Sequence, residues 1–306
     1  MNVLQQLLNG VFLGSVYALF AVGYTLVFGV LDVLNLAHSA VFTAAAVFAF
    51  GLIAYHQVPI WAAAPLAIVV AGLLGVVIEL ATLRPLRRRG APGIAPLIST
   101  IGLALALVAL IEQSRSHGLL RFVWREGANS VRFPPGTVPD RTWHLGSIAL
   151  PEDKVAILVV SLALTAMLWF VVQRTQAGRA MRAVAENPTA ARLLGIDVDR
   201  VVLLTVVASS ALAGLAGVLY GAAIGDISPY IGRDQVELRG LAVIVLGGVG
   251  SITGSILAGY LLGVIELLAL LTLGTNVRAA VAFAALFLML VVRPQGLLGR
   301  RVRDRV

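Results

Sequence analysis

The polar side chains best placed to do chemistry in this sequence stand inside otherwise apolar runs. Glu266 interrupts "LLGVIELLALL". Asn35, His38 and Ser39 form a polar notch in "LNLAHSAVF". Ionisable groups at membrane depth are costly to bury, so they are functional candidates by default. Two interpretations stay open for each feature: Glu266 lines a pathway or bonds a neighbouring helix, and the notch lines a pathway or caps a half-helix.

The other acids of the apolar runs lie near their ends. Glu79 stands one turn before "RPLRRR" and is expected to pair with those arginines at the membrane interface, and Glu112 similarly ends its run. With so few acids in the runs, a proton relay or a sodium site is poorly supported.

Catalytic and cofactor motifs are missing from the sequence. It contains no G-x-x-x-x-G-K-[ST] loop, no H-E-x-x-H and no credible Ser–His–Asp set. It also contains no cysteine, which excludes disulfides and cysteine-based metal or redox sites. An enzyme is therefore improbable, and any ATP that drives this protein must be bound by another chain.

The elements that carry these residues are long hydrophobic segments. The chain is 59% hydrophobic and only 12% charged, whereas a soluble domain carries about a quarter charged residues. The apolar runs are long enough to cross a bilayer, which takes about 20 residues. They fall roughly at 4–30, 33–55, 60–83, 96–112, 153–173, 201–224, 239–271 and 277–292. The prediction is an all-α polytopic membrane protein, a single domain over 1–306 with about eight transmembrane helices.

Charge predicts the orientation of the loops. The net charge of +8 is gathered at the ends of apolar runs, which is the positive-inside pattern and not a nucleic-acid-binding surface. "RPLRRRG", residues 174–200 and the tail "RPQGLLGRRVRDR" are predicted to be cytoplasmic. The loops 113–152 and 225–237 then face the other side. The orientation of the N-terminus stays open, although three simple spans before residue 83 would place it outside.

The number of membrane crossings after residue 237 predicts a broken helix near residue 250. If 225–237 is outside and the tail is inside, the region between them contains an odd number of crossings, yet it shows two apolar blocks. Gly247, Gly248 and Gly250 interrupt the first block, and Ser251 or Thr253 could cap a restarted helix. We expect a re-entrant or discontinuous segment there, at membrane depth, where protein or a wet cavity covers it.

The segment "AENPTAARLLGIDVDR" (185–200) carries the signals of a very short helix. Asn187 is a good N-cap, Pro188 suits the first helical position, and Gly195 supplies the left-handed residue that ends a helix. The predicted helix spans 188–194, and its exposed small and apolar groups suit a partner's groove. These groups are Ala190, Ala191, Leu194 and Ile196. The alternative is a plain turn that packs on its own bundle.

Several stretches, in order along the chain, resemble one family. "TAARLLG" is similar to the Glu-Ala-Ala loop of bacterial ABC importer permeases, although Thr189 replaces the glutamate and the downstream Ile-x-Leu-Pro is absent. Together the stretches resemble the LivH-type permeases of branched-chain amino-acid ABC importers from about residue 9 to 300. They are "LNLAHS", "VIELATLRPLRRR", "GRAMRAVAENPTAARLLGIDVDRV", "VLGGVGSITGSILAG" and "VRPQGLLGR".

The resemblance implies an ABC importer permease fold in the bacterial inner (cytoplasmic) membrane. It implies three kinds of partner besides lipid: a second, LivM-type permease, two cytoplasmic ATPases that bind ATP and Mg²⁺, and a periplasmic substrate-binding protein. This chain would itself need no cofactor and no metal. The ATPase-docking coupling helix would comprise Asn187, Pro188, Thr189, Ala190, Ala191, Arg192, Leu193, Leu194, Gly195 and Ile196. The pathway would pass near Asn35, His38, Ser39, Gly247, Gly248 and Ser251, with Glu266 added from its position in the run.

Two alternatives remain at the level of sequence. The first is an ABC permease for urea or short amides, because closely similar permeases serve those substrates. The second is a stand-alone secondary transporter or channel for small solutes, which would work without an ATPase.

Overall fold

A computed structural model describes residues 3–117, 120–138, 141–145, 148–273 and 278–299. Helices dominate these residues, as the apolar runs predict. The helices are α1 (Val3–Leu31), α2 (Ala37–His56), α3 (Ile60–Ile78), α4 (Arg84–Arg88), α5 (Ile94–His117), α6 (Glu152–Arg174), α7 (Gln176–Glu186), α8 (Pro188–Leu193), α9 (Val198–Ile224), α10 (Leu238–Gly247), α11 (Ile252–Leu273) and α12 (Arg278–Val292). Strands β1 (Thr142–Leu145) and β2 (Ile148–Pro151) pair antiparallel. Two π-helical segments, Glu79–Leu83 and Gly232–Glu237, join α3 to α4 and lead into α10.

Seven helices of the described chain are long and apolar enough to cross a membrane. The π-helical segment makes α3 and α4 one continuous span among these seven. The shorter α12 adds an eighth apolar helix, and α10 is a further short piece. The prediction of a multi-pass helical membrane protein with about eight spans and broken elements is confirmed.

The bundle is organised around α1. In the most apolar 18-residue stretch of α1, 83% of the residues are buried, whereas the corresponding shares are 17% in α5 and 22% in α6. α1 packs along α11 and α9, and α9 in turn packs against α2 and α3. The faces of α5 and α6 therefore look outward, where lipid or another chain covers apolar surface in a membrane.

Small residues set the close approach of α1 to α11. A Cβ atom added at Gly14 would lie 2.8 Å from the carbonyl oxygen of Gly259, and one at Gly263 would lie 2.5 Å from the Gly14 Cα atom. Such contacts let two backbones touch, which is the main source of helix association in lipid. These close contacts lie within this subunit, so the glycines serve its internal packing.

A side-chain contact indicates on which face of the membrane the N-terminus lies. The Gln5 amide exchanges two hydrogen bonds with the backbone of Ala149, at 2.9 and 2.8 Å. Ala149 lies in the β-hairpin of the loop that charge assigns to the non-cytoplasmic face. α1 therefore begins on that face, in agreement with three simple spans before the basic segment 84–89.

The broken helix is present at the residues where the sequence predicts it. α10 ends at Gly247, and α11 restarts at Ile252 with the Ser251 hydroxyl accepting from the Gly254 N–H at 3.1 Å. The tail closes over this junction, because the N–H groups of Leu297 and Leu298 donate to the carbonyl oxygens of Leu246 and Gly247. The tail supplies donors for the last carbonyls of α10. Since charge assigns the tail to the cytoplasm, we infer that this end of α10 faces the cytoplasmic side. With α11 and α12, α10 makes three helical segments after residue 237, but its ten residues are too few for a complete crossing, so the expected odd number of crossings stays a prediction.

Candidate functional site

The short helix α8, which the charge pattern predicts to be cytoplasmic, is held by the predicted caps. The Asn187 Oδ1 atom accepts from the N–H groups of Thr189 and Ala190, both at 3.0 Å. Pro188 is the first helical residue, and Gly195 ends the segment with φ of +82°. A non-glycine residue rarely adopts that φ, so the stop is encoded at this position. The caps are confirmed, and the helix is one residue shorter than predicted.

The surface of α8 differs from the prediction at one position. Leu193 and Leu194 are 85% and 80% exposed, and Ala190 is also exposed. Ala191, predicted to be exposed, is 1% exposed and belongs to the hydrophobic core, because this side of α8 faces the bundle. Ile196 is half-buried. The outer surface of α8 is thus formed by two leucines and a small residue, with Thr189 and Arg192 beside them.

A charged network ties α8 to the membrane bundle. Asp199, in the first turn of α9, accepts from Arg87 and Arg88 at 2.8 Å and from Arg84 at 3.4 Å. Arg87 also donates to the fully buried Glu79 at 2.7 Å. The prediction that Glu79 pairs with these arginines is confirmed. The ion pairs therefore join the beginning of α9, which follows α8 in the chain, to α3–α4.

The polar notch caps the start of α2. The Asn35 Oδ1 atom accepts from the Ala37 N–H at 3.2 Å. The Ser39 hydroxyl lies 3.1 Å from the Leu36 carbonyl oxygen and 3.1 Å from a carboxylate oxygen of Glu237. Asn35 and Ser39 are each at most 3% exposed. The Asn35 contact fits the capping interpretation, but α2 is a full span of 20 residues and not a half-helix. The pathway assignment remains a prediction.

His38, in the first turn of α2, joins this helix to α1 and α9 through hydrogen-bond contacts. Its Nε2 atom is 3.2 Å from the Phe20 carbonyl oxygen of α1, and its Nδ1 atom is 3.2 Å from the Ser209 hydroxyl of α9. Because a carbonyl can only accept, Nε2 carries a proton in this arrangement. Ser209 lies about three turns after the start of α9, or about 16 Å along its axis. α2 therefore begins inside the bundle and not at its cytoplasmic edge.

Glu266 is an ion-paired group of the core. It is fully buried, its Oε1 atom accepts from the Arg239 Nε at 2.8 Å, and its Oε2 atom accepts from the Tyr17 hydroxyl at 3.0 Å. These contacts join α11, α10 and α1. The helix-bonding interpretation is therefore the one that the geometry supports.

The predicted pathway residues fall into two groups along α10. Ser39 contacts Glu237 at the beginning of α10, and Glu266 contacts Arg239, two residues after Glu237. The second group lies beyond the other end of this ten-residue helix, about 15 Å along the axis. That group consists of Gly247, Gly248 and Ser251. The structure does not bring the two groups together.

Sequence reasoning missed three functional candidates: Glu237, Arg239 and Asp199. Glu237 and Arg239 border an apolar run in "QVELRGLAVIV" and therefore resembled surface charges. The π-helical turn before α10 carries them into the bundle. The signal available was an acid and a base two residues apart, directly before an apolar run. No cluster of three potential metal ligands occurs in the part of the chain that the structure describes.

Comparisons with known proteins agree on one family. The family described as "Branched-chain amino acid transport system / permease component" matches residues 6–292. The chain is 35% identical to the high-affinity branched-chain amino acid transport system permease protein LivH of Escherichia coli (strain K12), over 99% of this chain and 97% of the relative. It is 35% identical to the corresponding protein BraD of Pseudomonas aeruginosa, over 100% of this chain and 98% of the relative.

A more distant similarity covers part of the chain. The branched-chain amino acid permease protein LivM of Salmonella typhimurium is 36% identical over 48% of this chain and 35% of the relative. No solved structure matches the chain.

Proposed function

Since the chain belongs to the branched-chain amino acid transport permease family, we propose that it is the membrane-spanning permease subunit of an ATP-driven importer of branched-chain amino acids. Its relatives of nearly equal length bear that transport name. The structural observation that carries the proposal is α8, a capped helix on which Leu193 and Leu194 are exposed. The charge pattern predicts that this helix faces the cytoplasm. An exposed pair of leucines on a rigid scaffold suits a partner's hydrophobic groove.

The proposed partner at α8 is an ATPase subunit. When two such subunits bind ATP and close, they displace α8, and the displacement passes to α9 and α3–α4 through Asp199 and its arginines. Packed helices respond to such a displacement by moving as rigid bodies between two discrete arrangements. The bundle would thereby alternate its opening between the two faces of the membrane. ATP and Mg²⁺ belong to the ATPases, and this chain itself catalyses no reaction.

The remaining partners follow from the same proposal. A second, LivM-type permease would complete the pathway and cover apolar surface on the outward helices. A periplasmic binding protein would deliver the amino acid to the face that carries the β-hairpin and the N-terminus. The membrane is then the inner membrane of a bacterium.

Reconstitution tests the proposal against a permease for urea or short amides and against a stand-alone transporter. The chain, the second permease, the ATPases and the binding protein are placed in liposomes, and uptake of labelled L-leucine, urea and acetamide is measured. We expect leucine uptake that requires both ATP and the binding protein. Uptake by this chain without an ATPase, or uptake of urea but not leucine, would contradict the proposal.

A further inference from the structure

Three acidic side chains lie within the helical bundle, and one of them differs from the other two in its ion pairing. Glu79 is paired with Arg87, and Glu266 is paired with Arg239. Glu237 is half-buried and accepts a hydrogen bond from Ser39, but it forms no ion pair within 4 Å among the described residues. Arg233 acts on it only at longer range, since its direct partner is Asp234. A carboxylate partly removed from water without a direct ion pair is costly. Such a group is retained in a membrane where it meets a charged ligand.

The depth of Glu237 makes it a site on the route and not a surface charge. It stands at the beginning of α10, about 15 Å from the cytoplasmic end of that helix at Gly247. That distance is about half of the hydrocarbon core, which is about 30 Å thick. The Glu237 side chain is only partly buried, so part of it stays accessible to an approaching solute.

A site for the opposite charge lies within one turn of the Glu237 contact. α2 begins at Ala37, inside the bundle, and the N-terminus of a helix carries a partial positive charge. The Asn35 amide sits at this N-terminus through its Oδ1 bond to the Ala37 N–H, while its buried Nδ2 group has no partner in the described structure. A buried, unpaired donor is unfavourable unless a ligand accepts from it. An anionic group of a solute supplies that acceptor.

We propose that Glu237 and the first turn of α2 form a site for the two charged ends of an amino acid on its way through the permease. The Glu237 carboxylate receives the α-ammonium group, and the Asn35 Nδ2 group with the start of α2 receives the α-carboxylate. Glu237 and Ser39, four residues after Asn35, are already joined by a hydrogen bond, which sets the two subsites side by side. The inference rests on the proposed function and adds to it that the head group of the substrate is recognised within the membrane.

The test uses the complete reconstituted importer and separates leucine uptake from ATP hydrolysis. In Glu237→Gln we expect L-leucine uptake to fall at least about tenfold, the size expected when one side of a charge-assisted contact is removed. ATP hydrolysis stimulated by the binding protein should stay within about twofold of wild type, because α8 and its ion pairs are untouched. Asn35→Asp, which keeps the cap oxygen but replaces the donor by a negative charge, should reduce uptake similarly.

The matched control is Asp234→Asn on the same turn. Asp234 is exposed and paired with its neighbour Arg233, so its replacement should leave uptake unchanged. Leucine uptake by Glu237→Gln equal to that of wild type would overturn the inference and leave the proposed function standing. A parallel loss of ATP hydrolysis, or an equal loss in Asp234→Asn, would also overturn it. A wild-type complex that hydrolyses ATP but takes up no leucine would overturn the proposed function and the inference with it.

Discussion

Replacing Ala190 by arginine is expected to lower leucine uptake and binding-protein-stimulated ATP hydrolysis by at least about tenfold, the scale of a hot-spot change in an interface. Ala190 is exposed beside the leucines of α8, in the surface proposed to enter the ATPase. A long cation there would be buried without a partner when the subunits dock. Both activities are measured in proteoliposomes, and the amount of inserted chain is measured on the same samples.

Two further variants make this prediction specific. Ala177→Arg places the same charge on an exposed position of α7, away from α8, and should retain both activities. Gly195→Val forces a β-branched residue into the φ of +82°, at a local cost of about 1–3 kcal/mol, and should also uncouple transport. Normal coupling in both Ala190→Arg and Gly195→Val would refute the docking assignment.

Replacing Arg239 by methionine is expected to lower the free energy of unfolding by about 3–5 kcal/mol. The change leaves the fully buried carboxylate of Glu266 without its cation and removes a crosslink between α10 and α11. The double variant Arg239→Met/Glu266→Gln removes the stranded charge as well and should recover most of the loss. Unfolding in mixed detergent micelles, followed by tryptophan fluorescence, measures each variant.

The control for the buried pair is an exposed arginine nearby. Arg233 is 55% exposed and pairs with Asp234, so Arg233→Met should change the free energy of unfolding by no more than about 0.5 kcal/mol. Two results would show that the ion pair does not stabilise this part of the bundle. The first is a change in the free energy of unfolding for Arg239→Met that is as small as that for Arg233→Met. The second is a double variant that is no more stable than Arg239→Met.

The spans and the short helix were predictable because their signals are local. A hydrophobic run of sufficient length specifies a membrane helix wherever its partners lie. In α8 the cap, the proline and the glycine stand within nine residues, so the sequence alone fixes where the helix begins and ends. The pairing of Glu79 with Arg87 is local too, because the two residues lie about two turns apart on one continuous helix.

The contacts that distant segments make were not predictable in this way. Ser39 and Glu237 are 198 residues apart in the chain, and Arg239 and Glu266 are 27 apart on different helices. The burial of Ala191 depends on how the bundle packs beneath α8, which the sequence of a six-residue helix does not encode. The tail that covers the glycine break likewise acts through tertiary contacts, with Leu297 and Leu298 bonded to the end of α10.

Site-directed crosslinking tests the central claim, that an ATPase docks on α8, most directly. The chain contains no cysteine, so Leu194→Cys creates its one thiol, at a position that is 80% exposed. The thiol is labelled with a benzophenone maleimide in the assembled importer, which is then irradiated, and the products are separated by mass. We predict a covalent product between this chain and an ATPase subunit for Leu194→Cys, and none for Ala177→Cys. An intact, ATP-hydrolysing complex that gives no such product at position 194, or gives it equally at 177, would contradict the account.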